Sequence, residues 1–466
     1  MKKLSSQEKA LSINLQPTIY GTFAEIGGGQ EVANHFYHAG AASGTIAKTI
    51  SAYDMNLSDS HYGNTKRYVS KERLNNMLNV EYEQLVLGLK AKVNASHYFV
   101  FASNVEITNY HGTNKGRGWM GLKFQTSPNG PVSKCILHFI LHNNDPVEQK
   151  KIIGALGVNL IHSIYEYQGG DTCFVNSLTD NLRSGDIEIN CLETSGPAFG
   201  STTNRKLSLL LVKSSLTKMI MFGSDKEIVQ PLNALHKRDV VLIRGRFNPP
   251  TKISIEMFSK SKAQVLKNVK RNKPDVMLIA EITFNCFEDQ SELELEDLDC
   301  RIHMLSELGF TVMVTNFTYH SNFVDFLNEF TTISSLYLVL GLNNIRSVFL
   351  SKNNKGYNTE ALRFIQSIID SNYKILAFPE LNNNGELLGI EHMQLDKASA
   401  ILMSFLVEMN RIEDLENIDK ELLLIRSENA LKSMEANTPD WKEMVPSSLV
   451  GWLSERMSSG QSLIRN

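Results

Sequence analysis

The chain has little cysteine, and what it has is scattered. The five cysteines among its 466 residues are Cys135, Cys173, Cys191, Cys286 and Cys300. They are odd in number and form no C-x-x-C pair, which argues against a disulfide framework and against a structural zinc site. Their pattern is typical of a reducing compartment, where cysteine behaves as a small hydrophobic residue.

Long apolar runs and an excess of charge are also missing. The longest apolar stretch, Leu336 to Leu342, is far shorter than the roughly 20 residues that a membrane helix requires. The opening MKKLSSQEKA has two lysines with no apolar run behind them, so we expect no signal peptide. A net charge of −3 provides no field that would attract nucleic acid or an anionic membrane. These absences predict a cytoplasmic protein without a membrane partner, and they argue against nucleic acid as a partner while leaving a local basic patch open.

What the chain does contain is typical of a globular protein with several domains. Apolar residues make up 42% and charged residues 21% of the sequence, and the length suggests two or three domains. Mixed helical and strand patterns predict an α+β domain over residues 11–200. The fold class is α/β, because a doubly wound, mostly parallel Rossmann-like domain is predicted over 204–390, followed by a helical tail over 391–466.

The second region alternates regularly between strand and helix patterns. Its predicted strands are Lys218–Phe222, Val240–Ile243, Val276–Ile282, Thr311–Thr315, Leu336–Leu340 and Lys374–Phe378. Continuous apolar strands are typical of a parallel sheet that is covered on both faces. The tail has helical patterns from Asp396 to Met409 and from about Thr438, and its predicted role is packing or pairing in a homo-oligomer.

One loop of this region has the composition of a phosphate site. The predicted strand VVLI is followed by Arg244 to Thr251 (RGRFNPPT) and then by a helix. Gly245 allows a sharp turn and a close backbone approach, the helix N-terminus offers free N–H groups, and Arg244 and Arg246 supply bidentate donors. The alternative interpretation is a rigid turn with surface arginines.

This loop resembles the signature of the nucleotidyltransferase fold, above all of the nicotinamide and nicotinate mononucleotide adenylyltransferases. These enzymes carry G-x-F-x-P-x-T/H-x-x-H after the first strand, and Gly245, Phe247, Pro249 and Thr251 match that pattern. Ser254 stands where the family has its second histidine, which steadies the ATP phosphates. The family's later I-S-x-T-x-x-R motif has no clear counterpart here, and Arg346 is the nearest arginine.

The resemblance implies an adenylyl transferase that uses ATP and Mg²⁺ and acts on a mononucleotide. For such an enzyme the predicted catalytic residues are Arg246, Thr251 and Lys252, because cations at this loop would stabilise charge in the transition state. The predicted phosphate-binding residues of the loop are Arg244, Gly245, Phe247 and Asn248. The whole chain also resembles, more loosely, an uncharacterised bacterial family on YGTFAEIG, AGAASGTIAK, SAYDM and the ending W-x-E-M-V-P. Members of that family often carry the adenylyltransferase label because of this same loop.

Polar residues follow the other predicted strands of the same sheet. Glu281 and Asn285 come after VMLIA, and Asn343 comes after LYLVLGL. In a parallel sheet these positions share one edge, so they either line one pocket or are ordinary turn residues.

A second candidate anion site lies near the N-terminus. Glu25 is followed by Gly27, Gly28 and Gly29 and by a helical pattern, although Val32 stands where a G-x-G-x-x-G fingerprint has its third glycine. Further along, hydroxyls, a glycine and a lysine fall at a predicted helix start without forming a Walker motif. These residues are Ser43, Gly44, Thr45 and Lys48.

Three smaller patterns leave alternatives open. Glu31, His35 and His38 share a helical face as metal ligands would, but the favoured interpretation is a surface helix edge, and no metal site is predicted. Asp54 and His61 form either an acid–base pair or an ordinary turn cap. Arg205, after the turn Ser195-Gly196-Pro197, could contribute to a site at the domain junction.

Three functional hypotheses follow. The first is a nucleotidyl transferase with the loop around its triphosphate. The second is a non-catalytic nucleotide-binding regulator or scaffold that has lost the second histidine. The third is an enzyme of another class whose active site lies between Glu25 and Gly63, where glycines, hydroxyls and ionisable groups are dense.

Overall fold

The structure is a computed structural model, and it describes residues 3–89, 96–167, 172–200, 203–268, 276–284, 292–330, 332–350 and 358–459. The predicted site residue Asn285 and Cys286 lie outside these ranges. The chain divides into two compact units, Met1–Thr217 and Lys218–Asn466. The boundary therefore falls after residue 217, whereas the sequence pattern placed it between residues 200 and 204.

The first unit is built on a six-stranded mixed sheet in the order β2-β1-β3-β4-β5-β6. β1 pairs in parallel with β2 and β3, and the remaining neighbours are antiparallel. Its strands are β1 Ile19–Gly27, β2 Ile46–Ile50, β3 His97–Glu106, β4 Arg117–Gln125, β5 Val132–Leu141 and β6 Ile187–Ser195. Its helices are α1 Ser6–Asn14, α2 Val32–Ala39, α3 Met55–Tyr62, α4 Lys71–Gly88, α5 Pro146–Glu166, α6 Thr172–Ser177 and α7 Asn204–Lys213.

Local signals in the sequence explain where several of these helices begin. Ser5 and Glu8 form a reciprocal capping box at α1. Ser70, Asp145 and Thr203 each accept a backbone N–H at the start of α4, α5 and α7. The apolar face of α4 packs on β3, β4 and β1, as its helical periodicity predicts.

The helix predicted after Gly40–Thr45 is wrong. Residues 42–44 form a single 3₁₀ turn, and Ile46–Ile50 is the edge strand β2. Its β-branched residues favour a strand, and its pairing with β1 decides the structure. Ser43, Gly44, Thr45 and Lys48 therefore do not stand at the start of a helix.

The second unit has an eight-stranded sheet in the order β16-β13-β12-β9-β10-β11-β7-β8. Only the β7 and β8 pairings are antiparallel. Its strands are β7 Met219–Phe222, β8 Ile228–Val229, β9 Asp239–Arg244, β10 Val276–Thr283, β11 Thr311–Thr315, β12 Ser335–Gly341, β13 Tyr373–Phe378 and β16 Ile412–Asp414, while β14 Glu380–Leu381 and β15 Leu387–Leu388 form a separate pair. The helices are α8 Pro231–Leu235, α9 Lys252–Asn268, α10 Glu292–Glu307, α11 His320–Phe330, α12 Leu342–Leu350, α13 Thr359–Ile369, α14 Lys397–Glu408, α15 Ser427–Glu435, α16 Trp441–Met444 and α17 Ser447–Ser458.

The helices of this unit cover both faces of the sheet. Helices α11 to α14 share one core with alternate strand residues, such as Leu242 of β9 and Leu338 of β12. Helix α9 packs on β9 and β10, and Met304 of α10 joins a separate core with α15, α16 and α17. In chain order the five central parallel strands lie 3-2-1-4-5, with β9 first. The predicted α/β class and doubly wound sheet are confirmed.

This topology places the loop after β9 at the switch point of the sheet. From β9 the chain continues toward β10 on one side, whereas β12, the other neighbour of β9, leads on to β13. Such switch points open a crevice at the carboxyl ends of the strands, where doubly wound proteins bind ligands.

The C-terminal region is helical as predicted, but it also contributes a strand. Helix α14 begins after its cap Asp396. Residues 412–414 then form β16, which extends the sheet in parallel beside β13. Three residues are too few for a periodic pattern, so the sequence gives no signal for this strand. Among the described residues, none of the helices is long and apolar enough to cross a membrane.

Candidate functional site

The loop from Arg244 to Thr251 joins the end of β9 to the first residue of α9. Phe247, Asn248 and Thr251 are buried, whereas Arg246 is exposed. Phe247 adopts a left-handed backbone with a φ of 49°, and its ring lies against Gly245, where an added Cβ would be 3.2 Å from the ring. The loop is therefore a compact turn with one arginine on its outer surface.

Three hydrogen bonds anchor the loop backbone within the second unit. The Gly245 N–H donates to the Glu281 carbonyl at 3.0 Å, Arg301 donates to the Arg246 carbonyl at 2.8 Å, and Ser427 donates to the Pro249 carbonyl at 3.0 Å. Arg301 is almost fully buried and is held in turn by Asp297. Such supports keep the backbone in place without help from a ligand.

The start of α9 has a buried hydroxyl without a partner. Ser254 Oγ accepts the Thr251 N–H at 3.4 Å, and the Ser254 N–H donates to the Thr251 carbonyl at 2.9 Å. The serine at the position of the family's second histidine thus caps the helix. Thr251 Oγ1, fully buried, has no hydrogen-bond partner among the described residues. A buried polar atom of this kind costs free energy unless a ligand or water satisfies it.

Two cations remain accessible beside this helix end. The Arg246 side chain has no hydrogen bond or ion pair within the described part of the chain. Lys252 Nζ lies 3.8 Å from Glu443 Oε2, but the Glu443 side chain is 90% exposed, so this pair contributes little. Both side chains can therefore turn toward an anionic ligand.

Arg244 lies on the inner side of the loop. Its Nε is 3.0 Å from Glu281 Oε2, and the two side chains are 9% and 0% exposed. It also donates through Nη2 to the Phe317 carbonyl and lies over the Phe323 ring. Glu281 accepts the Thr315 hydroxyl as well. The arginine thus belongs to a buried polar cluster under α11, which we call the inner cluster: Arg244, Glu281, Thr315, Phe317, His320 and Phe323.

The neighbouring strand β12 ends in α12, which carries Asn343 and Arg346. Arg346 donates to Asn343 at 2.5 Å and to Glu380 at 3.2 Å. Arg346 is thus paired within the unit, on the helix that follows β12, the strand beside β9. Helix α12 starts directly after β12 without the serine and threonine of the family's later motif.

In the first unit, the predicted glycine-rich anion site is filled by the protein's own carboxylate. Glu25 accepts the Val32 and Ala33 N–H groups at 3.0 and 2.9 Å, so it caps α2 from the preceding strand. Burial raises the pKa of Glu25 from 4.5 to about 7, although these two hydrogen bonds oppose the shift. Glu31 lies at the N-cap position of α2 without capping it.

The three glycines after Glu25 serve close packing. A Cβ on Gly27 would be 2.0 Å from the Val105 carbonyl oxygen, and one on Gly28 would be 2.2 Å from an Ile107 methyl group. Gly29 would come within 2.9 Å of Ser103 Oγ. These positions have no room for a side chain because the end of β1 lies directly against β3.

The other polar residues predicted for the first unit are distributed among separate structural contacts. Lys48 pairs with the buried Glu81, which also accepts the Tyr62 hydroxyl at 2.9 Å. Asp54 caps α3 through the Leu57 N–H at 3.0 Å, which is the capping interpretation. No hydrogen bond joins Asp54 to His61 in the described ranges.

Two remaining predictions concern metal ligands and Arg205. Burial lowers the pKa of His35. Among the described residues, no group of three or more His, Cys, Asp or Glu is placed to hold a metal ion. Arg205 lies in the first turn of α7, beside Asn204, whose amide oxygen accepts the Thr194 N–H at 2.7 Å.

Sequence reasoning missed the residues that support the site from a distance. Arg301 and His320 carry no local motif, since each acts on a loop or strand far away in the sequence. The orientation of Arg244, by contrast, can be predicted from the alternation of residues along β9. Val240 and Leu242 belong to the core under α11 to α14, and the period of a strand puts residue 244 on that same face.

Comparisons with known proteins add little to this geometry. No protein-family model matches the chain, and no curated protein matches it. The chain is similar to the solved competence/damage inducible protein CihA from Agrobacterium tumefaciens, with 15% identity, 34% of this chain and 97% of that chain covered, and a TM-score of 0.25. It is also similar to a solved competence-damaged protein (CinA) superfamily protein from Klebsiella pneumoniae, with 10% identity. That match covers 35% of this chain and 99% of the other, with a TM-score of 0.27. At such TM-scores the similarity carries no argument about fold or function.

Proposed function

We propose that the protein binds a nucleotide or another phosphorylated metabolite at the loop from Arg244 to Thr251. The observation that carries this proposal is the buried, unpartnered Thr251 hydroxyl at the N-terminus of α9, with the exposed Arg246 on the same loop. The switch point of a doubly wound sheet is where such ligands bind. Free N–H groups and the positive end of a helix favour a phosphate there.

Within this proposal each group has a distinct role. The Thr251 hydroxyl donates to a phosphate oxygen, while Arg246 and Lys252 neutralise its charge. Gly245, Phe247 and Asn248 shape the turn and keep its backbone close to the ligand. With no metal-binding group of side chains in the described ranges, Mg²⁺ fits this site only as the companion of a triphosphate such as ATP.

The finer proposal is adenylyl transfer from ATP to a mononucleotide. Arg246, Lys252 and Thr251 supply the positive charge and the hydroxyl that stabilise a phosphoryl transition state. A non-catalytic nucleotide-binding regulator is the second candidate, and one observation favours it. Ser254 is engaged as a helix cap at the position where the adenylyltransferases use a histidine.

Calorimetric titration of the full chain with ATP and Mg²⁺ tests the binding proposal. Saturable binding is expected, and Arg246→Ala should weaken it roughly 10- to 100-fold, because a charge-assisted hydrogen bond is lost. Arg363→Ala is the matched control, since Arg363 is an exposed arginine of α13 in the same unit. Absence of saturable binding by ATP, by mononucleotides and by inorganic phosphate would refute the proposal.

A pyrophosphate-release assay separates the two candidate functions. The transferase predicts release from ATP with nicotinate or nicotinamide mononucleotide, and loss of release in Arg246→Ala. The regulator predicts ATP binding without turnover. Activity that is lost in Lys48→Ala and kept in Arg246→Ala would instead place an active site in the first unit.

A further inference from the structure

The inner cluster contains three buried polar atoms that have no hydrogen-bond partner among the described residues: Arg244 Nη1, His320 Nδ1 and Glu281 Oε2. Glu281 Oε2 is ion-paired with Arg244 Nε at 3.0 Å, whereas Arg244 Nη1 and His320 Nδ1 are nitrogens that can donate to a ligand. The Arg244 side chain is 9% exposed. Its other nitrogens are occupied, since Nε faces Glu281 and Nη2 donates to the Phe317 carbonyl. One donor of a buried guanidinium is therefore still available.

The guanidinium that carries this donor lies beside the start of α11. The guanidinium contacts Phe317 and lies 5.8 Å from the Phe323 ring, and these two residues flank His320, the first residue of the helix. Helix α11 is 11 residues long and has no acidic residue in its first turn. Its N-terminal N–H groups and its dipole favour an anion at this end.

The protein's own carboxylates do not satisfy these donors. Glu281 pairs with Nε of the guanidinium and also accepts the Thr315 hydroxyl. Glu360 of α13 accepts the Ser321 hydroxyl at 2.7 Å. This carboxylate therefore contacts the end of α11 through Ser321, and Arg244 Nη1 and His320 Nδ1 still have no partner among the described residues. Tyr319, next to His320, is 54% exposed, so the helix end reaches the surface one residue before His320, while Arg244 Nη1 and His320 Nδ1 are themselves buried.

We infer that Arg244, His320 and the N-terminus of α11 form a second anion subsite, which takes a phosphoryl or carboxylate oxyanion of a second ligand group. Arg244 Nη1 and the neutral His320 ring each donate one hydrogen bond to this oxyanion. The subsite lies on the face of the sheet that carries α11 to α14, whereas the loop leads to α9 on the other face. The inference depends on the proposed function in one case: when the loop from Arg244 to Thr251 and this second subsite hold two groups of one ligand or of two ligands that bind together.

His320 stays neutral until a ligand arrives, because burial and the neighbouring Arg244 lower its pKa to about 3. A neutral imidazole can still donate from Nδ1 in the tautomer that carries hydrogen there. Hydrogen bonding in the subsite therefore does not require His320 to be protonated beforehand.

Titration with inorganic phosphate and, separately, with acetate tests the inference on the full chain. His320→Leu should weaken binding of the better probe about tenfold, as expected for one lost hydrogen bond to a charged group. His320→Gln keeps a donor and should remain within about threefold of wild type. Comparing the two probes shows whether the subsite prefers phosphoryl or carboxylate groups. Thermal melting without ligand confirms that both variants fold.

The outcomes separate this inference from the proposed function. If His320→Leu leaves the binding of both anions unchanged, a water molecule satisfies the inner cluster and the inference is wrong, even if Arg246→Ala abolishes ATP binding. If phosphate binding depends on His320 and not on Arg246, the subsite exists and the loop proposal fails. Arg244→Lys provides an independent check, since lysine keeps the charge beside Glu281 but has one nitrogen in place of the guanidinium fork that offers Nη1 to the ligand, and it should weaken binding as His320→Leu does.

Discussion

At the scale of single residues, the pKa of Glu25 is set by two opposite effects, hydrogen bonding and burial. Its carboxylate caps α2 through two backbone N–H groups, which favours the charged form. Burial nevertheless raises its pKa from 4.5 to about 7. The folded protein therefore retains the Glu25 proton to a higher pH than the unfolded chain does.

The sign of the resulting pH dependence follows directly. Stability contributed by this group is fully present below about pH 4.5 and is lost as pH rises to about 7, because the folded state binds more protons over that range. The shift corresponds to a loss of about 3 kcal/mol. Glu25→Gln removes this titration, so the variant should gain stability relative to wild type between about pH 5 and pH 8.

Differential scanning calorimetry of both proteins across this pH range provides the measurement. Glu72→Gln is the control, since Glu72 is an exposed residue in the first turn of α4. Its stability relative to wild type should not increase between about pH 5 and pH 8. A constant difference between Glu25→Gln and wild type at every pH would contradict the prediction.

A second buried charge, Lys9, holds α1 to the rest of the first unit. Lys9 Nζ donates to Asn159 at 2.8 Å and to Asp180 at 2.9 Å, and the side chain is 2% exposed. Lys9→Met leaves the buried Asn159 amide oxygen without its donor and removes the buried partner of Asp180, so it should destabilise the protein by about 2 kcal/mol. The measurement is the free energy of unfolding in urea.

Lys3 offers a matched control because it pairs with the same carboxylate. Its Nζ is 3.1 Å from Asp180, but its side chain is 69% exposed. Lys3→Met should therefore cost less than about 1 kcal/mol. Equal losses in the two variants would show that burial of Lys9 does not determine the effect.

At the scale of secondary-structure elements, the packing of β1 against β3 requires glycine at residue 27. Gly27 has a φ of +81° and would place a Cβ 2.0 Å from the Val105 carbonyl oxygen. Gly40 has a φ of +88° with nothing within 4 Å of a Cβ. Both alanine variants carry a positive-φ backbone cost of about 1 to 3 kcal/mol, so the steric clash should make Gly27→Ala lose at least about 2 kcal/mol more than Gly40→Ala. Urea unfolding of the two variants measures the difference, and similar losses would rule out the steric explanation.

The elements that the sequence predicts well are those whose own residues decide their structure. The strands β9, β10 and β12 are continuous apolar runs, and a sheet covered on both faces accepts them without alternation. The edge strand β2 was predicted as a helix because IAKTI is short and its pairing with β1 is not local information. Strand β16 was not predicted because three residues carry no periodicity.

The candidate site likewise combines features that local sequence decides with contacts that depend on distant residues. The position of the loop from Arg244 to Thr251 follows from a strand, a turn and a helix in succession, all of which are local. The partners that fix the loop and the inner cluster, such as Arg301, Glu281 and His320, come from other elements. Their distances depend on the order of strands in the sheet, which no local pattern contains.

At the scale of the whole molecule, the boundary between the units can be tested by truncation. Helix α7 belongs to the first unit, where it packs on β6 and α6 and buries five apolar side chains, Leu207, Leu209, Leu210, Leu211 and Val212. The chain after it stays in that unit, since the Ile189 N–H donates to Leu216 at 2.8 Å and Thr217 donates to Glu188 at 2.6 Å. The carbonyl of Lys218 already accepts the Asn316 N–H of the second unit at 3.0 Å.

A fragment of residues 1–217 should therefore unfold cooperatively, whereas a fragment of residues 1–203 should not. At about 1.5 to 3 kcal/mol for each buried aliphatic side chain, losing α7 removes on the order of 10 kcal/mol, which is comparable with the whole stability of a domain. Thermal unfolding followed by circular dichroism and calorimetry distinguishes the two. A third fragment, 1–213, keeps α7 and lacks only the last contacts, so it should fold with a lower melting temperature than 1–217. Cooperative unfolding of 1–203 at the temperature of 1–217 would place the boundary before α7 and would make α7 part of the second unit.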